Sequence, residues 1–119
     1  MFRATAAGTE TLKNLVLPGV GRILIVDDCA SHGHASNFFV TEVTNKTRAQ
    51  VALEKLQELN PDVKGRWKHV ESLQSLEMST VLNSPNQLIV ASDVEPPLLK
   101  KISLACEELS LPLVVVQSY

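Results

Sequence analysis

Cysteine, aromatic side chains, long apolar runs and a surplus of either charge are all scarce in this chain. Its two cysteines, Cys29 and Cys106, cannot build a disulfide framework, which points to a reduced, intracellular setting. Eleven Lys and Arg against thirteen Asp and Glu leave a formal charge of −2, so there is no electrostatic case for nucleic acid as a partner. No stretch approaches the roughly 18 consecutive apolar residues of a membrane span. The opening MFRATAAGTE has no long apolar core of the secretory kind, so no membrane partner is expected.

What is present is an ordinary globular composition. A chain of 119 residues with 45% hydrophobic and 20% charged side chains fits one domain with a real core. The stretch from Gly8 to Asp28 organises it. Leu12, Leu15 and Val16 fall at i, i+3 and i+4, one face of a helix. Pro18 and Gly19 stop that helix, and Gly21 closes the turn. Ile23 to Val26 is a continuous run of β-favouring residues, as in a strand covered on both faces, and it ends in Asp27 and Asp28.

The remaining pattern alternates. Thr44 or Asn45 can cap a helix whose apolar face is Ala49, Ala52, Leu53, Leu56 and Leu59. Residues 63–70 read as an exposed or edge strand, with Trp67 a packing residue. Residues 71–82 suggest a weak helix with Leu73 and Leu76 inward. Residues 88–91 make a second buried strand. Pro96-Pro97 opens a helix carrying Leu98, Ile102, Ala105 and Leu109 inward, with Cys106 near that face. Lys100-Lys101 reads as a solvated edge, and residues 113–116 as a third buried strand. This order predicts an α/β fold: a doubly wound, Rossmann-like, mostly parallel sheet with helices on both faces. Only residues 1–5 are left for the first, central strand, so that strand is truncated or missing. Residues 1–119 therefore read as a single partial domain, and the isolated chain is expected to be poorly stable.

In such folds an acid about 20 residues past a glycine motif holds ribose hydroxyls. Gly8 to Asp27 has that spacing. The glycine motif itself, G-x-G-x-x-G, is reduced to Gly8, the packing glycine; Arg3 and Thr5 stand where the first two would let phosphates approach. The expectation is a nucleotide-fold shape without the nucleotide. Cys29, His32 and His34 beside Asp27 and Asp28 have no standard zinc spacing, so no metal site is expected.

The segments ATAAGTETLKNLVLPGVGRILIVDD, SNFF and NKTRAQVALEKLQELNPDV resemble the adenylation fold of ubiquitin-like-modifier activating enzymes. Within that family the chain is most similar to the non-catalytic, regulatory halves of the neddylation-activating heterodimers. Active members carry Asn-Arg-Gln after the second strand. Asn37 matches the Asn, while Phe38 and Phe39 stand in the Arg and Gln places and cannot donate charge-assisted hydrogen bonds to a phosphate. By the resemblance, Lys46 matches a phosphate-reaching lysine and Asp27 the ribose acid. Gly8, Asp27, Asn37 and Lys46 would then be vestigial cofactor positions, and Phe38 and Phe39 would pack against the core or the partner.

The resemblance implies no catalytic residue and no cofactor in this chain, with ATP and Mg held by a catalytic partner subunit. It implies a ubiquitin-like modifier met only indirectly, and a cytoplasmic and nuclear location. It also implies a fragment or short isoform. Two rival expectations are an active adenylating enzyme of the same family and the dinucleotide-binding domain of a dehydrogenase.

Overall fold

The computed structural model describes residues 1–29 and 46–118. Asn37, Phe38, Phe39, His32 and His34 lie outside the described residues. Eight elements follow in order: α1 (Ala6–Val16), β1 (Arg22–Asp27), α2 (Arg48–Leu59), β2 (Lys64–His69), a 3-10 turn (Met78–Thr80), β3 (Ile89–Ser92), α3 (Pro96–Glu108) and β4 (Leu113–Val116).

The strands form two parallel pairs, β1 with β2 and β3 with β4. Residues 1–3 join them. Phe2 bridges in parallel to Val26 on one side and to Ala91 on the other. The backbone bonds are short: Phe2 N to Val90 O at 2.8 Å, Arg3 N to Val26 O at 2.8 Å, Val26 N to Met1 O at 2.9 Å, and Ser92 N to Phe2 O at 3.0 Å. The spatial order is therefore β2, β1, residues 1–3, β3, β4. A doubly wound sheet has this order, and here residues 1–3 hold the central position.

Helices cover both faces because the strand residues alternate. Ile23 and Ile25 face α1 and α2, packing with Leu12, Val16, Ala52, Leu53 and Leu56. Phe2, Val26, Ile89 and Ala91 face the other way, against Leu98, Ile102 and Cys106 of α3 and the chain between β2 and β3. Glycine permits the closest helix–strand approach. A Cβ on Gly65 of β2 would lie 2.2 Å from Leu53 Cδ1 of α2.

Several local readings are corrected. Thr47, not Thr44 or Asn45, caps α2, its hydroxyl accepting from Gln50 N at 3.3 Å. Residues 71–82 are not a helix beyond the single 3-10 turn, although Leu73 and Leu76 are buried as expected. Their apolar positions, 73, 76, 78, 81 and 82, do not keep one helical face. Lys101 is not merely solvated. Its ammonium donates to Gln74 O at 2.5 Å and Leu76 O at 2.7 Å, holding that irregular segment against α3. Among the described residues β4 pairs only with β3, and Val114 and Val115 are 40% and 44% exposed rather than buried. Trp67 is 43% exposed on the opposite edge rather than packed, and Leu109 is exposed at the end of α3.

Candidate functional site

Doubly wound sheets bind ligands at the carboxyl ends of the strands, where the strand order reverses. Here that point lies between β1 and β3, just past residue 3. The chain leaves the sheet there by a turn of the backbone to positive φ at Arg3, +66°, sparsely populated by residues other than glycine. Thr5 then caps α1, accepting from Gly8 N at 3.4 Å, and its hydroxyl hydrogen-bonds that of Ser92 at the end of β3.

Gly8 explains how α1 sits so near β3. A Cβ there would lie 2.5 Å from Ser92 Oγ, 2.6 Å from Ser92 Cβ and 3.0 Å from Arg3 O. This is the close helix–strand packing that the third glycine of the dinucleotide motif provides.

The crevice is an open depression of about 380 Å³ lined by Arg3, Thr5, Asp28, Cys29, Arg48, Asp93 and Glu95. Behind this lining, bonded to Arg48 and Cys29, is Asp27, fully buried at 0% exposure. Four N–H donors converge on that carboxylate: Arg48 Nε on Oδ2 at 2.6 Å, Arg48 Nη2 on Oδ1 at 2.8 Å, Ala4 N on Oδ2 at 3.0 Å, and Cys29 N on Oδ1 at 3.2 Å. A carboxylate has about four lone-pair positions, so none is left for a ribose hydroxyl. Burial by itself would lower the pKa of Arg48, but the hydrogen bonds and charge of Asp27 raise it above its ordinary value.

Above this pair lies a second one. Arg3 donates through Nε and Nη2 to the two oxygens of Asp28, each at 3.2 Å, and through Nη1 to Glu95 Oε1 at 2.8 Å and Asp93 O at 3.1 Å. The guanidinium thus ties the end of β1 to the start of α3, across the mouth of the crevice. Burial would raise the pKa of Asp28, but the hydrogen bonds and charge of Arg3 hold it below the usual carboxylate value. The hydrogen bond from Arg3 also lowers Glu95. Asp93, at φ +49°, accepts from Ser118 N at 2.8 Å and Ser118 Oγ at 2.9 Å, which fixes the exit from β4.

Of the sequence-expected positions, Gly8 and Asp27 are at the crevice. Lys46 is not: it pairs with Glu54 at 2.9 Å on the exposed side of α2. The cation that reaches the site is Arg48, two residues on. One signal for it was available. Arg48 is the first residue of α2, where the helix dipole disfavours a cation, so its placement implies a nearby acid. Nothing in the one-dimensional pattern links Arg3 to Glu95, 92 residues away.

No family model matches the chain. Curated relatives do. The NEDD8-activating enzyme E1 regulatory subunit of Xenopus laevis is 35% identical over 122 residues, covering 100% of this chain and 23% of the relative. The chain is a homologue of that regulatory subunit. The same-named subunit of Drosophila melanogaster is 33% identical over 126 residues, covering 99% of this chain and 23% of its own length. Human ubiquitin-like modifier-activating enzyme 6 is 32% identical over 111 residues, 89% of this chain and 10% of that protein. The chain thus spans 23% of the length of the NEDD8-activating enzyme regulatory subunits first matched.

Proposed function

We propose that this chain acts as a regulatory, non-catalytic part of an activating enzyme for a ubiquitin-like modifier, and that the acid of its nucleotide crevice is taken up by groups of the chain itself. In this reading it scaffolds a catalytic subunit, which holds ATP and Mg, adenylates the C-terminus of the modifier and passes it to a cysteine. Phe38 and Phe39 then serve packing, against the core or against that partner. A cytoplasmic and nuclear setting fits this role. Among the described residues no helix is long and apolar enough to cross a membrane.

One observation carries the non-catalytic half of the reading: the saturation of Asp27 by Arg48, Ala4 and Cys29. The charge around it points the same way. Two guanidiniums, Arg3 and Arg48, face four carboxylates, Asp27, Asp28, Asp93 and Glu95, so a triphosphate would enter an already acidic depression. The residues present do not fit a nucleotide.

Calorimetric titration with ATP–Mg and with NAD is expected to show no saturable heat; a saturable micromolar isotherm would overturn the reading in favour of an active adenylating enzyme or a dehydrogenase domain. Co-purification with a catalytic subunit of the neddylation-activating type tests the scaffolding half. Failure to associate, with the chain folded, would remove it.

A further inference from the structure

The two sheet edges that no strand pairs among the described residues differ in charge. β4, Leu113–Val116, carries none, whereas β2 carries Lys64, Arg66 and Lys68 in six residues. Strand alternation puts these three on the face opposite Gly65, which packs on α2. The register sets Arg22 of β1 beside Lys64 on that same face. Arg22, Lys64 and Arg66 are exposed and Lys68 is half-buried. Among the described residues none of the four makes an ion pair, and neither strand places an acid on that face. On a chain of net charge −2 this is a local concentration of positive charge.

The same strand offers unused backbone. Lys64 N donates to Gly21 O and Val70 N to Asp27 O, so the even-numbered residues point their amides at β1. A parallel ladder alternates, so Gly65, Trp67 and His69 present their N–H and C=O groups outward. Among the described residues no strand pairs there. Edge lysines ordinarily keep an open edge from pairing with like-charged copies. They do the opposite for a strand of opposite charge.

We propose that the outer edge of β2 is a docking edge for an acidic, extended peptide segment. The segment adds as a sixth strand, bonds the outward amides of Gly65, Trp67 and His69, and sets alternate carboxylates over the row Lys64, Arg66 and Lys68. A peptide is favoured over nucleic acid because the edge supplies backbone pairing that only an extended chain can return.

Trp67 is the single tryptophan of the chain and lies in this strand, so its emission reports on the edge alone. The probe is a short peptide of alternating glutamate and threonine, titrated into the full chain. A saturable change in Trp67 emission is expected. Raising salt from about 50 mM to about 300 mM is expected to weaken binding by roughly tenfold or more. The K64E/R66E double variant, checked for an unchanged urea melt, is expected to weaken it similarly. A peptide of the same charge with proline at alternate positions cannot pair and is expected to bind at least about tenfold more weakly. Equal binding of the two peptides would overturn strand addition. Tighter binding of single-stranded oligothymidylate than of the peptide would overturn the choice of partner. No saturable change would overturn the site.

Discussion

Arg48 decides whether Asp27 can stay buried. Removing one partner of a buried ion pair strands the other charge, at a cost of about 3–5 kcal/mol. Arg48→Ala is therefore expected to lower the urea-melt stability by that amount. Arg48→Lys is expected to recover only part, because a lysine cannot make the two-pronged bond to both oxygens. Gly8 is a second single-residue test. Gly8→Ala puts a methyl group onto Ser92 and is expected to cost about 1–3 kcal/mol. Adding Ser92→Gly removes the obstructing Cβ, so the double variant should be less damaged than additivity of the two single losses allows. Arg3 sets the acid limb. Asp28 and Glu95 have folded-state pKa values depressed by Arg3. Their contribution is complete above the unfolded carboxylate range, near pH 4, and is lost as pH falls through the lower folded values. Arg3→Gly should relieve the positive-φ strain yet flatten this acid-induced loss, which a series of urea melts below about pH 5 would read.

At the scale of elements, the segment between β2 and β3 departs furthest from its sequence pattern. Residues 71–82 look weakly helical, yet their course is set by where Leu73, Leu76, Met78, Val81 and Leu82 can be buried and by the ammonium of Lys101. Lys101→Met keeps the stem and removes the donors. Amide exchange in residues 71–82 is expected to accelerate while α3 keeps its protection, since local opening follows the local contacts. Equal acceleration in both would mean that Lys101 acts on the whole core. The edge strands carry the same lesson. Both runs are extended as their sequences suggest, but which edges stay open depends on neighbours far away in the chain.

The whole molecule depends on residues 1–3. They are the only pairing, among the described residues, between the β1–β2 half and the β3–β4 half of the sheet. Phe2 is 2% exposed at that junction. Truncating a buried Phe typically costs about 3–5 kcal/mol, against a total of about 5–15 kcal/mol for a domain. Phe2→Ala is thus expected to leave the chain largely unfolded, or to split the urea transition into two phases, one for each half. A single transition of unchanged midpoint would show that the helices alone hold the halves together.

By itself the sequence determined the classes and order of the elements outside residues 71–82, because helix and strand periods are local properties. It placed α1, β1, α2 and α3 within a few residues, gave the parallel α/β sheet with a shortened first strand, and marked Gly8 and Asp27 by their spacing. Tertiary structure decided the rest. It chose Arg48 rather than Lys46 to meet Asp27, since Arg48 opens α2 while Lys46 precedes the cap Thr47 and pairs with Glu54 instead. It spanned the crevice with Arg3, because β1 and α3 meet only when the sheet forms. Among the described residues it pairs β4 on one side alone, with Val114 and Val115 exposed although the run reads as buried, for burial belongs to a strand's position in the sheet and not to its letters.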